Sequence, residues 1–199
     1  KTITTGEGGV ATTNDKNLAQ SMKDLRSHGI VKEKGRFINE PEGEWYYEQQ
    51  QLGFNYRLTD IAAALGISQI KRLEKIVEER NKLYRNYEAL IDSLPVQLLK
   101  IPSDVYSSVH LAVIKFDKFD KKFHKYLFKK LRAKGIGVQL HYYPVHLQPF
   151  YRTIGFKKGD FPEAEKYKNN AISLPLYPSL SFQDQKQIIN ILISELQVF

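Results

Sequence analysis

The chain has 199 residues, of which 42% are hydrophobic and 12% aromatic, and its formal net charge is +8. The length suits one domain, or one domain and part of another, and the apolar content is enough for a buried core, which argues against global disorder. The absence of cysteine excludes disulfides and cysteine-based metal sites. The sequence contains no run of about 18 apolar residues, which a membrane-spanning helix would need.

The first quarter of the chain predicts a strand, a helix and a long loop. A short strand is expected at 9–13, and a helix from about 17 to 26, with Asp15 or Asn14 at its N-terminus. Residues 30–51 are polar and rich in turn-forming residues, which predicts a long loop.

A long helical stretch is predicted from about 59 to 93. Thr59 is suited to cap its N-terminus, Gly66 is a candidate for a bend or break, and Pro95 ends it. Its buried face is predicted from the following apolar side chains: Leu73, Ile76, Val77, Leu83, Tyr84, Tyr87, Leu90 and Ile91.

The remaining residues predict a small sheet packed on helices, so the fold class is α/β. Candidate strands lie at 96–99, 109–116 and 136–143. A closing helix is predicted at 181–196, with Ser181 as its cap.

Much of the positive charge lies between Lys115 and Lys134. There Phe123, Leu127 and Leu131 recur every four residues, which predicts one amphipathic helix with solvated lysines. No RNA-binding signature, zinc-finger spacing or long basic tail accompanies this charge, so no nucleic-acid partner is expected.

Lys1 and the segment "GFNYR" contain the first candidates for chemistry. By position alone, Lys1 is a solvated terminal charge. Asn55 and Arg57 precede a predicted helix start, where polar donors and the helix N-terminus can hold an anion such as a phosphate. Helix capping and a surface arginine explain the same residues without a ligand.

The segment "QLHYYP" is the second candidate. His141, Tyr142, Tyr143 and Pro144 end a predicted strand, and strand ends in α/β proteins often face ligands. A packed aromatic corner is the alternative interpretation. His141 and His146 have no acidic partner at metal-ligand spacing, so no metal site is predicted.

The order of the segments along the chain indicates a family. The stretches "KTITTGEGGVATTND", "LRSHGI", "LGFNYRLTDIAAALGISQIKRL", "GIGVQLHYYPVHLQPFYR" and "ISLPLYPSL" follow one another between residue 1 and about residue 196. This series resembles the sugar-nucleotide aminotransferases of the DegT/DnrJ/StrS family. The segment 135–152 looks most like the subgroup that makes UDP-4-amino-4,6-dideoxy-N-acetyl-altrosamine, on the route to pseudaminic acid.

The resemblance implies a pyridoxal-phosphate enzyme of the aspartate-aminotransferase fold type I, working as a cytoplasmic homodimer with shared active sites. Residues 1–90 would be the end of the large cofactor domain, and 91–199 the small α/β domain with a mostly antiparallel sheet. A full family member has roughly as much chain again before the cofactor lysine. We therefore expect this chain to correspond to the C-terminal half and to be inactive alone.

The resemblance also implies roles for the candidate residues. Lys1 stands at the position of the lysine that binds pyridoxal phosphate and catalyses proton transfer. Asn55 matches the asparagine that reaches the neighbouring subunit's cofactor phosphate, next to the substrate. Arg57 is a weaker substrate-binding candidate, and the segment 141–144 matches the stretch that contacts the sugar nucleotide.

The implied reaction is transamination of a 4-keto-6-deoxy sugar nucleotide, of the UDP-linked N-acetylhexosamine type, with glutamate as the amino donor. Perosamine-type, bacillosamine-type and 3-keto-sugar aminotransferases are the near alternatives. A non-catalytic binding or regulatory module with the same fold is the alternative from another functional class. No membrane partner is expected.

Overall fold

The structure is a computed structural model, and it describes residues 1–116 and 119–198. The chain divides into two compact units. The N-terminal unit is Ile3–Lys71, and the C-terminal unit combines Lys1–Thr2 with the chain from Arg72 onward.

The N-terminal unit contains two helices and a small two-stranded sheet. Its elements are α1 (Lys16–Arg26), β1 (Ile30–Val31), a 3-10 turn (Lys34–Arg36), β2 (Glu48–Gln49) and α2 (Asp60–Ile70). Strands β1 and β2 are antiparallel, with Ile30 opposite Gln49, and they bracket the predicted long loop. The strand predicted at 9–13 is wrong, because no described strand pairs with these residues.

Capping explains where α1 begins and ends. The Asp15 carboxylate accepts hydrogen bonds from the backbone N–H groups of Asn17 (2.8 Å) and Leu18 (3.1 Å), which satisfies donors that the first helical turn leaves free. After the helix, Gly29 has φ +70°, and a Cβ there would lie 2.0 Å from the Gln51 carbonyl oxygen. Only glycine fits this turn.

The long predicted helix is two helices, α2 (Asp60–Ile70) and α3 (Leu73–Ile91). The Thr59 hydroxyl caps α2 by accepting from the Ala62 N–H at 3.2 Å, as predicted. The break lies at residues 71–72, where Arg72 leaves helical geometry with φ −109° and ψ 3°, and not at Gly66. Gly66 is buried within α2, and a Cβ there would lie 3.0 Å from the Thr5 methyl group.

The C-terminal unit is built on a three-stranded antiparallel sheet in the order β3-β4-β5, which confirms the predicted small antiparallel sheet. After α3, the elements are β3 (Gln97–Leu98), β4 (Ala112–Lys115), α4 (Lys121–Ala133), a 3-10 turn (Val145–Leu147), α5 (Pro149–Thr153), α6 (Pro162–Asn170), β5 (Ala171–Leu174) and α7 (Phe182–Val198). The strand predicted at 136–143 is reduced to one bridge between Gln139 and Ser173.

Helices α3, α4 and α7 supply the core of this unit. On α4, Phe123, Leu127 and Leu131 are fully buried, which confirms the amphipathic helix predicted in the lysine-rich region. The predicted stripe on α3 is buried or half-buried throughout. Helix α3 packs on α7 and β3, and the compact C-terminal unit includes the chain from Arg72 onward. The division into family domains at residue 90 stays a prediction.

No helix within the described ranges combines the length and the apolar character needed to cross a membrane.

Candidate active site

Lys1 is exposed and belongs to the C-terminal unit. One residue near enough to interact with its charge is His110, which lies just before β4. Burial lowers the pKa of the His110 imidazole, and the positive charges of the Arg80 and Lys1 side chains lower it further. His110 is therefore neutral at pH 7 and close enough to Lys1 to respond to its charge.

The buried Arg80 holds the backbone beside His110. Its Nη1 donates hydrogen bonds to the carbonyl oxygens of Leu176 (3.0 Å), His110 (3.2 Å) and Val109 (3.4 Å). Burial lowers its pKa, and within the described ranges no carboxylate pairs with it. The guanidinium thus joins the segment before β4 to the segment after β5.

The sequence patterns identified neither Arg80 nor His110 as a site residue. A signal for Arg80 was present, because it lies three residues after Val77 and three before Leu83 on the apolar face of α3. No comparable signal exists for His110, because its neighbours come from distant parts of the chain.

The segment His141–Pro144 forms a local cluster beside the sheet. His141 Nδ1 lies 2.8 Å from the hydroxyl oxygen of Ser173 on β5. The Tyr142 and Tyr143 side chains are 66% and 44% exposed, whereas Pro144 is buried. The two tyrosine rings are therefore accessible to a ligand and do not form a packed corner.

Asn55 and Arg57 lie in the N-terminal unit, and both are exposed. The Asn55 backbone forms a bridge with Ser27. Arg57 lines a cavity of about 620 Å³. Asp24 and Glu33, on the same wall, are both paired with Arg36. The cavity wall carries these further basic or potentially basic side chains: Lys23, Arg26, His28 and Lys32.

The structure thus brings Lys1, His110, Arg80 and His141 into one unit, and it places Asn55 with Arg57 in the other. Lys1 supplies the primary amine that pyridoxal phosphate requires, and the positive charge of Arg80 acts on the neighbouring His110. The His110 Nδ1 atom is also buried without a hydrogen-bond partner within the described chain. In the N-terminal unit, the basic cavity beside Arg57 is likewise suited to phosphate groups.

Comparison with known proteins identifies the family. The model of the DegT/DnrJ/EryC1/StrS aminotransferase family matches residues 1–193. The chain belongs to this family. Its members are pyridoxal-phosphate-dependent, and solved neighbours include aminotransferases in PLP and PMP forms.

Two curated relatives show how much of a family member the chain represents. An uncharacterised protein of Methanocaldococcus jannaschii is 38% identical over 96% of the chain, which covers 50% of that relative. The UDP-4-amino-4,6-dideoxy-N-acetyl-beta-L-altrosamine transaminase of Campylobacter jejuni is 33% identical over 99% of the chain, which again covers 50% of the relative. The chain therefore spans about half the length of these relatives.

A solved structure confirms the fold. Helicobacter pylori PseC, an aminotransferase involved in the biosynthesis of pseudoaminic acid, matches all of this chain with a TM-score of 0.88 and 29% identity, over 51% of its own chain. The predicted fold type I architecture is confirmed by this neighbour. The roles of Lys1, Asn55, Arg57 and residues 141–144 stay predictions.

Proposed function

We propose that this chain is the C-terminal half of a pyridoxal-phosphate-dependent aminotransferase that acts on a 4-keto-6-deoxy sugar nucleotide, with glutamate as amino donor. The observation that carries the proposal is the family match, which runs from Lys1 to residue 193. The names of the Campylobacter relative and the Helicobacter neighbour support a UDP-linked N-acetylhexosamine substrate and a pathway to a nonulosonic acid.

Lys1 carries the proton chemistry of this proposal. Bound pyridoxal phosphate supplies an electron sink for the carbanion that forms at the α-carbon of the amino donor. The Lys1 Nζ atom would hold the cofactor and, as general base, would accept the proton from the donor's α-carbon. A neutral amine is required for this step.

The other candidate residues bind and orient. The Asn55 amide would help to hold the phosphate of the cofactor in the neighbouring subunit, next to the substrate. The Arg57 guanidinium pairs with the diphosphate of the sugar nucleotide, for which its planar group of donors is suited. His141, Tyr142, Tyr143 and Pro144 contact the sugar nucleotide, and the two exposed tyrosine rings supply apolar surface for it.

A cytoplasmic homodimer is part of the proposal. Helix α2 exposes Ile61 (85%), Ile67 (59%) and Ile70 (61%), although a helix that is apolar on all sides is normally buried. A second subunit would cover such a surface and would bring Asn55 to the neighbouring site.

Covalent labelling of the whole enzyme that contains these residues tests the proposal. The enzyme is loaded with pyridoxal phosphate, reduced with borohydride and digested, and we expect mass spectrometry to find the label on Lys1. A Lys1→Arg variant should lose both the label and transamination of the 4-keto sugar nucleotide. The matched control Lys16→Arg, at an exposed position on α1, should keep both.

A label on another lysine would contradict the role of Lys1. No label on any lysine would instead favour the non-catalytic module. A label on Lys1 without turnover of the 4-keto sugar nucleotide would support the proposed role of Lys1 and contradict the proposed substrate class.

A further inference from the structure

We propose that Lys168 is a positioning residue for the substrate contact at Tyr143, where its ammonium group covers one face of the ring and leaves the other face to a planar base. The part of the ligand that this face takes is the nucleobase of the sugar nucleotide. The inference rests on the proposed function for the presence of a sugar nucleotide at residues 141–144, and on contacts within the C-terminal unit for the role of Lys168.

The contact with Lys168 orients the Tyr143 side chain. The Lys168 Nζ atom lies 4.8 Å from the centroid of the Tyr143 ring, which is within the range of a cation–π interaction. The ring is 44% exposed. In the part of the chain that the structure describes, Tyr143 has no side-chain hydrogen bond and no stacked ring beside it. The cation is therefore the polar contact that sets the direction in which the ring faces.

Helix α6 can hold Lys168 in place because the helix is anchored one turn earlier. Glu165 lies three residues before Lys168, on the same face of the helix. Its Oε1 atom accepts the Gly159 N–H at 2.6 Å and lies 3.1 Å from His146 Nε2. His146 is buried and follows Tyr143 by three residues. The contact between Glu165 and His146 thus fixes α6 against the segment that carries Tyr143.

Strand β5, which follows α6 directly, fixes the neighbouring tyrosine. Its Ser173 is buried and pairs with Gln139 through backbone hydrogen bonds of 2.8 and 3.3 Å. The Ser173 hydroxyl lies 2.8 Å from His141 Nδ1, and the His141 ring meets the Tyr142 ring edge-on, with the centroids 4.7 Å apart. Helix α6 and strand β5 therefore hold both exposed tyrosines of the segment, one through His141 and the other through Lys168.

The charge of Lys168 is directed to the ring and not to an acidic side chain. Among the described residues, no carboxylate forms an ion pair with its ammonium group. The side chain is half-buried, so its stem is less free to move than that of an exposed lysine. A planar base can stack on the remaining face of Tyr143, because every nucleobase has a π-face of its own.

Calorimetry of UDP binding to the whole, cofactor-loaded enzyme tests the inference. Tyr143→Leu, which removes the aromatic face, should weaken UDP binding about tenfold. Lys168→Met, which removes the charge and keeps an unbranched side chain, should weaken it about two- to fivefold. Lys168→Arg also places a cation over the ring and should restore most of the affinity. The matched control Lys166→Met, at an exposed position on α6, should bind UDP like the original enzyme.

A double variant shows whether Lys168 acts through the ring. If Lys168 positions Tyr143, then Lys168→Met has no further effect on UDP affinity in the Tyr143→Leu enzyme, because the interaction that it removes is already absent. Additive effects, which a direct contact between the ammonium group and a phosphate would give, overturn the proposal. Pyrophosphate is the second probe, and weaker binding of pyrophosphate by Lys168→Met also overturns it.

Kinetics distinguish this role from a general loss of structure. Lys168→Met should raise KM for the 4-keto sugar nucleotide about two- to fivefold and leave kcat and KM for glutamate unchanged, because only nucleotide binding is weakened. A rise in both KM values, or a fall in kcat, overturns the proposal. Failure of the original enzyme to bind UDP contradicts the UDP-linked substrate of the proposed function and this inference with it. UDP binding that does not respond to Lys168→Met overturns this inference alone.

Discussion

Arg80 illustrates, at the scale of single residues, how one buried side chain joins distant segments. Its guanidinium contacts three carbonyl groups that lie 29, 30 and 96 residues away in the sequence. A planar group of donors can serve several acceptors at once, whereas an ammonium group on a flexible stem is a more compact, strongly hydrated charge. We therefore expect that lysine, which carries the same charge, cannot make the same set of hydrogen bonds at this position.

Substitution of Arg80 by lysine should lower the free energy of unfolding by about 2 kcal/mol, because charge-assisted hydrogen bonds are lost from a buried position. Urea unfolding at pH 7 measures the change. Arg85→Lys is the matched control, since Arg85 is exposed on the same helix, and it should leave stability nearly unchanged. Equal stability of the two variants would contradict the role given to Arg80.

At the scale of elements, the loop between β1 and β2 shows how irregular backbone is held without regular structure. The Glu48 carboxylate on β2 accepts hydrogen bonds from the backbone N–H groups of Ile38 and Asn39, both at 2.7 Å, and from Gln50 Nε2 at 2.6 Å. Burial disfavours its charge, but these hydrogen bonds outweigh burial and lower the pKa of Glu48 from 4.5 to about 2. The charged form thus organises the loop.

We expect the loop between β1 and β2 to lose its fixed conformation at a higher pH than the helices unfold. Because the pKa of Glu48 is lowered on folding, its stabilisation is complete above pH 4.5 and is lost as the pH falls towards about 2. Trp45 is the only tryptophan of the chain and lies in this loop, with its ring against Gly43. We therefore expect its fluorescence to change over that range of pH.

The Glu48→Gln variant separates this effect from general acid denaturation. At pH 7 its Trp45 fluorescence should already equal that of the original chain at low pH. Its fluorescence should show no transition between pH 4.5 and about 2. Glu40→Gln, a substitution at an exposed position in the same loop, should titrate like the original chain. Identical acid titrations of Glu48→Gln and the original chain would rule out the proposed role.

At the scale of the whole molecule, the coverage of the relatives is the decisive fact. The chain spans about half their length. The C-terminal unit nevertheless has its own hydrophobic core, including Tyr87, Phe116 and Leu192.

The 199-residue chain alone should therefore show little or no transamination of a 4-keto sugar nucleotide with glutamate, even with added pyridoxal phosphate. Glutamate-dependent product formation measures this, and the whole enzyme is the positive control. Turnover by the chain alone at about 1 s⁻¹ or faster, which is in the normal range of enzymes, would contradict the prediction.

The sequence by itself determined the features that depend on near neighbours and on the order of segments. Periodicity identified the buried face of α4, and side-chain chemistry identified the caps at Asp15 and Thr59, because both act within one or two helical turns. The series of segments from Lys1 onward identified the family, and that prediction is confirmed. The residue roles inferred from it stay predictions.

Only the tertiary structure decided the features that depend on distant contacts. The helix break at residues 71–72 and the loss of the strands predicted at 9–13 and 136–143 depend on which partners are present, because a strand needs a paired neighbour. The surroundings of His110 are assembled from α3, the segment before β4 and the loop after β5. Local patterns cannot reveal an unpaired imidazole nitrogen, because its isolation is a property of everything packed around it.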